Sequence, residues 1–392
     1  MTHIEQMIQD MCPNGVEFKT LGEVCIVKTA PMKLDKKEYQ EQGLYPIVDQ
    51  GQKFIVGYTD NAEALVPADD YVIFGDHTRE IKYVDFTFAQ GADGVKILKT
   101  KNEILPRFLY HVLKNTQIPS RGYNRHWTIA KDIEIPLPPI EIQKKIVECL
   151  DKFSALAAEL QAELQAELHL RRKQYEYYRT QLLTPHSDCN SADNTDDAQW
   201  EWKTLGEVCE LVKDRISASE LDTETYVSVE NLLPNKMGKI ASTSVPTTGN
   251  VINYHKDNVL IGNIRPYLRK IWLANCDGGT NGDVITLSIK DEYKNLILPR
   301  FLYHALADER FFIYDTQYSS GAKMPRGDKE RVMEYQIALP SLAEQARIVA
   351  ILDKFEKLIT SMEEGIPAEQ IRQQKRYEHF RDLLLTFDRK AE

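Results

Sequence analysis

Residues 137–153 read LPPIEIQKKIVECLDKF, and residues 339–355 read LPSLAEQARIVAILDKF. Each opens a long helical pattern. In the first, Ile146, Leu150, Phe153, Ala157, Leu160 and Leu164 alternate spacings of four and three. In the second, Ile348, Leu352, Phe355, Ile359, Met362 and Ile366 do the same. That spacing is the a/d seam of a coiled coil. Residues 141–183 would make a rod of roughly 65 Å at 1.5 Å per residue. A seam needs a partner, and the obvious one is the other copy's rod.

The duplication extends outward from these stretches over the whole chain. KTLGEVC occurs at 19–25 and 203–209, and ILPRFLYH at 104–111 and 297–304. Tyr175, Glu176, Arg179, Leu183 and Thr184 return as Tyr377, Glu378, Arg381, Leu385 and Thr386. The offset grows from 184 to 193 to 202 residues, so the second copy carries insertions. Such self-similarity means one structural unit used twice. Before each rod lies a mixed region. Short β-rich runs at 71–74, 82–88 and 95–98 answer to 259–261, 270–273 and 284–289. A short helix with proline in its first turn follows at 106–113 and at 299–306.

Two departures interrupt the symmetry of the rods. Residues 158–168, AELQAELQAEL, use a four-residue unit three times, whereas the equivalent stretch contains Gly365 and Pro367. Proline there removes a helical hydrogen bond and predicts a kink or break. Between the copies, PHSDCNSADNTDDAQ (185–199) lacks apolar side chains and reads as a flexible linker. The expected organisation is a first mixed domain (1–140), a long helix (141–184), the linker (185–199), a second mixed domain (200–342), a second long helix (343–387) and a tail (388–392). The fold class is α+β: two mixed α/β domains separated by two long antiparallel coiled-coil helices, with a pseudo-twofold internal repeat.

The composition, 42% hydrophobic and 28% charged, supports packed cores. No run reaches the roughly 20 apolar residues of a membrane span, and no secretory signal is visible, so a cytoplasmic location is expected. The net charge of −10 argues against non-specific coating of nucleic acid but leaves room for a local basic patch. Six cysteines include no C-x-x-C pair, so neither zinc nor a disulfide framework is suggested. Cys25 and Cys209 are equivalent in the repeat and read as small buried residues.

The sequence offers no catalytic motif. There is no P-loop, no G-x-G-x-x-G after a strand, no amino-methyltransferase motif and no Ser/His/Asp or Cys/His set. Asp70 with Glu80-Ile81-Lys82 superficially resembles a metal-nuclease arrangement. The same triplet occurs at Glu17–Lys19 and Glu292–Lys294, so chance accounts for it. His111 and His304, inside the repeated ILPRFLYH, read as packing or capping residues. No metal site is expected.

Basic residues cluster instead. GDHTRE (75–80) brings His77, Thr78 and Arg79 beside Lys82, and RGYNRHW (121–127) brings Arg121, Tyr123, Asn124, Arg125, His126 and Trp127. In the second copy, IGNIRPYLRKIWLA (261–274) carries Arg265, Tyr267, Arg269 and Lys270, and QYSSGAKMPRG (317–327) carries Ser319, Ser320, Lys323 and Arg326. Arginine and asparagine read base edges, while lysine, serine and backbone N–H groups bind phosphate. A solvated charged loop is the plain alternative, but matched positions in both copies favour DNA. Further clusters end the rods: RRKQYEYYR (171–179) with Arg171, Arg172, Tyr175 and Tyr178, and RQQKRYEHFR (372–381) with Arg372, Arg376, Tyr377 and Phe380. Their aromatic-basic pattern suggests protein docking or helix packing more than DNA contact.

With K-T-L-G-E-V opening each unit and L-P-x-x-x-x-Q-x-x-I-V-x-x-L-D-K-F leading each rod, the chain resembles the specificity subunit of type I restriction–modification enzymes. The A-E-L units and KQYEYYRTQLL resemble its type IC branch. The resemblance implies two target-recognition domains, each reading one half of a split, asymmetric site in double-stranded DNA. It implies two modification (methyltransferase) subunits and restriction/motor subunits as partners. S-adenosylmethionine, ATP and magnesium would sit on those partners, with no cofactor and no catalysis in this chain. The competing readings are a nuclease or methyltransferase with unrecognised motifs, and a protein-binding scaffold.

Overall fold

The computed structural model describes residues 3–120, 122, 124–185 and 200–390. Two compact units form, Met1–Glu163 with Pro367–Glu392, and Leu164–Ile366. The division runs through both long helices, Ile140–Leu182 and Leu342–Leu385. Each unit therefore combines one mixed domain with part of each helix, instead of ending where a helix begins. The linker expected at 185–199 lies outside the described residues but for Pro185 and is not described further.

The repeated blocks explain why the two mixed domains are alike. In the first, KTLGEV is a strand, Glu17–Thr20, running into a helical turn, Leu21–Val24. The Thr20 backbone N–H donates to the Glu23 carboxylate at 2.8 Å, the reach-back half of a capping box. In the second, Thr204 N–H donates to Glu207 at 2.6 Å. The strand Glu17–Thr20 pairs antiparallel with Glu134–Leu137, and Glu201–Thr204 with Gln336–Leu339. First and last strands thus zip together immediately before each long helix. Inside each domain the main sheet has the same order. It runs Cys25–Lys28, Val95–Thr100, Tyr71–Gly75, Ile81–Val84 in one, and Cys209–Leu211, Val284–Ile289, Val259–Gly262, Ile271–Leu273 in the other. The central strands are almost wholly buried, as the continuous apolar runs require.

Two buried side-chain devices, each made twice, hold the short helices Pro106–Asn115 and Pro299–Leu306 to the long ones. Gln143 is fully buried; its Oε1 accepts from Leu105 N–H at 2.8 Å, and its Nε2 donates to the carbonyls of Glu103 at 3.0 Å and Pro138 at 2.8 Å. Gln345 repeats this with Leu298, Leu296 and Pro340, each at 2.9 Å. These carboxamides satisfy backbone groups that a proline-led helix start leaves without partners. Beside them, His111 Nε2 meets Asp151 at 2.8 Å and His304 Nε2 meets Asp353 at 2.9 Å. Arg107 and Arg300 grip the same aspartates at 3.0 and 2.8 Å. Burial pushes the His304 ring down to about 4 and lowers His111 in the same sense. Both rings are therefore neutral N–H donors to an ionised carboxylate at pH 7, which is the packing role expected for them.

The long helices run antiparallel within each unit. In the first unit, Ile142 and Ile146 share a core with Leu384 and Leu385, while Phe153 lies 6.2 Å from Tyr377 and 5.7 Å from Phe380. In the second, Tyr175 stacks on Phe355 at 6.2 Å, and Arg172 donates to Glu363 at 2.9 Å. The seam is uneven. Ile348, Leu352, Ile359 and Ile366 are buried, as are Ile146 and Leu150, but Leu160 is 38% exposed. The opposing stretch 368–376 is largely polar and offers Leu160 little apolar surface.

The second long helix departs from expectation. Gly365 and Pro367 do not break it, and it is continuous from Leu342 to Leu385. Proline removes only one hydrogen bond, that to the carbonyl four residues earlier. Pro367 itself is exposed, so water can satisfy that carbonyl, while the adjacent Ile366 is buried and anchors the turn. Cys25 and Cys209 are buried, and burial pushes both thiols up to about 12.

Candidate nucleic-acid interface

In the first domain the strand Tyr71–Gly75 delivers the chain to a turn, 76–80. Asp76 is 1% exposed and fully engaged. Its N–H donates to Gly94 O at 2.6 Å, its carbonyl accepts the N–H of His126 at 2.8 Å and the Nδ1–H of the same ring at 2.9 Å, and its carboxylate accepts Trp127 N–H at 2.7 Å. Of the expected DNA-binding residues, His126 is therefore buried structure. Trp127 opens the short helix Trp127–Ala130 and packs its ring 5.8 Å from Phe74. Lys82 is also interior, 5% exposed, with its ammonium on the carbonyls of Asp49 and Lys53. His126 and Lys82 cannot face DNA as expected, because both are buried with their polar atoms engaged inside the fold, while Trp127 is half-buried with its ring against Phe74.

Other expected residues do reach the surface. Thr78 and Arg79 are exposed, and His77 is half-buried with its N–H on Gln50 Oε1 at 3.0 Å. The Thr78 hydroxyl donates to Gln50 O. Arg79 adopts a left-handed φ of 64°, and its guanidinium donates to Ile118 O at 2.8 Å. Asn124 and Arg125 are exposed on the following loop. Arg121 and Tyr123 lie outside the described residues.

The second domain builds the same end from different residues. Strand Val259–Gly262 leads to Asn263, whose N–H donates to Asp283 O at 2.9 Å and whose carbonyl accepts Gly327 N–H at 3.0 Å. Asn263 and Gly327 thus stand where Asp76 and His126 stand in the first copy. Glycine at 327 leaves room for two side chains, because a Cβ there would lie 2.3 Å from Asp315 Oδ1 and 2.8 Å from Asn263 Oδ1 and would force them to move. Asp315 is 1% exposed, and burial pushes its carboxyl up to about 7. Arg265, with φ 55°, donates its N–H to Pro325 O at 2.7 Å, and Ser320 and Arg326 exchange backbone hydrogen bonds at 2.8 and 2.9 Å. The two expected clusters, 261–274 and 317–327, therefore meet in one surface.

That surface displays Tyr267, Ser320, Lys323 and Arg326, all exposed or half-exposed, with Arg326 bridged to Asp283 at 3.1 Å. Arg265 is half-buried. Three expected residues are half-buried and have partners within the domain. Arg269 donates to Glu309 at 2.9 Å, Lys270 to Val229 O at 2.6 Å, and the Ser319 hydroxyl to Thr316 O at 2.7 Å.

The rod-end clusters are chiefly helix packing. Tyr175 is 6% exposed, stacked on Phe355 and covered by the Arg179 guanidinium at 4.2 Å, so it is core and not a docking residue. Tyr377 packs against Phe153. Arg171 pairs with Glu167 at 2.7 Å, Arg172 with Glu363 and Arg372 with Glu369 at 2.7 Å. Tyr178 and Phe380 pack on one side and are 39% and 41% exposed, and Arg376 is exposed.

His304, Asp353 and Glu356 bring ligand atoms within 4.8 Å of one another. The Arg300 guanidinium already bridges the two carboxylates and fills the place a cation would take. Among the described residues nothing else groups as a metal site, and no helix is long and apolar enough to cross a membrane.

The matched turn ends, IFGD (73–76) and LIGN (260–263), carry the signal for this shared end, and the repeated blocks alone do not reveal it. What the fold and these surfaces define is a two-domain recognition protein built by duplication. The type I restriction modification DNA specificity domain family matches residues 13–170 and 198–370. A type I restriction enzyme specificity subunit of Escherichia coli is 28% identical over 99% of this chain and 97% of its own length. A putative one of Haemophilus influenzae is 29% identical over 98% of both. Among solved structures, a chain from a study of the assembly and conformational transition of a type I system superposes with a TM-score of 0.64 at 16% identity, covering 95% of this chain and 98% of that one. The specificity subunit of Thermoanaerobacter tengcongensis gives 0.53 at 16% identity, covering 96% and 97%.

The chain belongs to the type I restriction–modification specificity subunits. These are the non-catalytic, DNA-sequence-recognising components of such systems.

Proposed function

We propose that the chain reads a bipartite, asymmetric DNA site, one half-site per domain, and presents it to two modification subunits that methylate an adenine in each half. Motor-nuclease subunits join for restriction, and S-adenosylmethionine, ATP and magnesium are held by the partners. The observation that carries this reading is that the loop-bearing end of the domain is built twice. Gly75-Asp76 and Gly262-Asn263 donate and accept equivalent backbone hydrogen bonds, yet the side chains displayed around them differ. A shared frame with divergent side chains suits two different half-sites. The exposed remainder of the rod ends, Tyr178, Phe380, Arg372 and Arg376, is the surface we assign to partner docking.

The test replaces Arg265, Lys323 and Arg326 by alanine in the reconstituted assembly. Recognition of one half-site should weaken while subunit assembly and the other half-site survive. The dependence of log K on log salt should also flatten, by roughly 0.9 for each phosphate the variant no longer neutralises. Arg269→Ala should change recognition less, since Glu309 already takes its guanidinium. Methylation unchanged in both halves would reject the assignment of this surface.

A further inference from the structure

Lys82 is a buried ammonium in a domain that has ample surface for it. Its side chain is 5% exposed, donates to Asp49 O at 2.8 Å and Lys53 O at 2.7 Å, and has the Asp49 carboxylate 3.6 Å away. Taking a cation out of water is costly unless its donors are met. Here they are met by the two ends of one loop. The same loop is tied laterally by Gln50, whose Oε1 accepts His77 N–H at 3.0 Å and whose Nε2 donates to Asp93 O at 2.8 Å. The Thr78 hydroxyl bonds Gln50 O. Residues 49–54, 76–80 and 91–94 are thus one hydrogen-bonded platform.

The tip of that loop buries little in exchange. Gln52 and Lys53 are exposed, and Phe54, 43% exposed, meets Phe86 edge-on at 6.0 Å. One aromatic edge contact gives little reason to bury a cation at the base of the loop. What the clamp fixes is where the tip's side chains point, which lowers the ordering cost of binding. The second domain has a simpler counterpart, one bond from a half-buried lysine, although its loop sequence differs. Lys270 donates to Val229 O at 2.6 Å, on the loop after strand Tyr226–Val227. That strand pairs in parallel with Gly278–Thr280, as Tyr45–Val48 pairs with Phe88–Gly91. A lysine pinning the topologically equivalent loop in both copies marks that loop as working surface.

We propose that residues 49–54 belong to the DNA-reading surface of the first domain, with Gln52 taking a base edge and Lys53 a neighbouring phosphate. This rests on the half-site reading above. A glutamine carboxamide fits the N6/N7 edge of adenine in the major groove, and a lysine contributes position without sequence information. Lys82 is then a positioning residue: it holds the loop by its carbonyls and touches no DNA.

The experiment uses the full chain assembled with its modification subunits and reads methylated positions across a DNA library of random sequence. Gln52→Ala should relax one base position in one half-site and leave the other half-site as it was. Lys53→Ala should keep the motif, weaken binding alike for all sequences, and reduce the salt slope by about one. Both side chains are exposed, and the Lys82 clamp holds the loop's backbone, so folding should not confuse the result. Lys82→Met should relax the same base position as Gln52→Ala. An unchanged motif in Gln52→Ala with unchanged affinity in Lys53→Ala would overturn this inference alone. A wild-type assembly that methylates a single continuous motif would overturn the half-site reading instead.

Discussion

Gln345→Ala is expected to cost about 2–4 kcal/mol, because its fully buried carboxamide serves three backbone groups that would each lose a partner at about 1–3 kcal/mol, with water taking its place where the chain is exposed, as at Leu296. Those groups are Leu298 N–H and the carbonyls of Leu296 and Pro340. Gln143→Ala should cost as much in the first unit, through Leu105, Glu103 and Pro138. A domain is stable by only about 5–15 kcal/mol, so either change is large. Amide hydrogen exchange localises the effect. Protection should fall in Pro299–Leu306 for Gln345→Ala and in Pro106–Asn115 for Gln143→Ala, each with the other helix unaffected. A cost below about 1 kcal/mol in both would mean that the carboxamides do not hold the short helices.

Deleting residues 161–164 (QAEL) from the first long helix should shorten the unread spacer between the half-sites. Four residues span about 6 Å of rise and about 40° of net rotation. At ~3.4 Å per base pair this is one to two base pairs. The deletion falls where packing is sparse, since Gln161, Ala162 and Glu163 are exposed and Leu164 is half-buried. The two compact units also divide at Glu163 and Leu164, and of the deleted residues only Leu164 packs against a core, at its margin. Mapping of methylated adenines in the variant assembly should return both half-sites with the gap reduced by about a base pair. The same gap in variant and parent would show that helix length does not set the spacing.

Much of the fold is legible in the sequence because duplication prints itself on the residues that build it. KTLGEV recurs since it forms the opening strand and turn of each domain, and the L-P stretch recurs since it leads from the end of the closing strand into the long helix. The short helices and the central strands follow from apolar runs and proline placement. The candidate site is less legible, for a physical reason. Lys82, His126 and Tyr175 are of the residue types that bind DNA or protein, yet their charges or rings are used internally. Basic and aromatic side chains are amphipathic, so their type alone does not say which end meets water. Gln50 and Gln52 give no sequence signal because a short polar loop carries no periodicity, and only the clamp from a distant lysine marks it. Pro367 carries less weight than its helix-breaking chemistry suggests: one missing hydrogen bond does not end a helix whose neighbouring turn is anchored by Ile366.

The central claim is that two paralogous domains read two separate half-sites while partners do the chemistry. The most direct measurement is the sequence context of methylated adenines produced by the complete wild-type assembly, run beside the isolated chain with DNA and methyl donor. The account predicts a motif in two unlike parts separated by a fixed number of unspecified base pairs, and no methylation by the chain alone. One uninterrupted motif, or methyl transfer by the isolated chain, would contradict it.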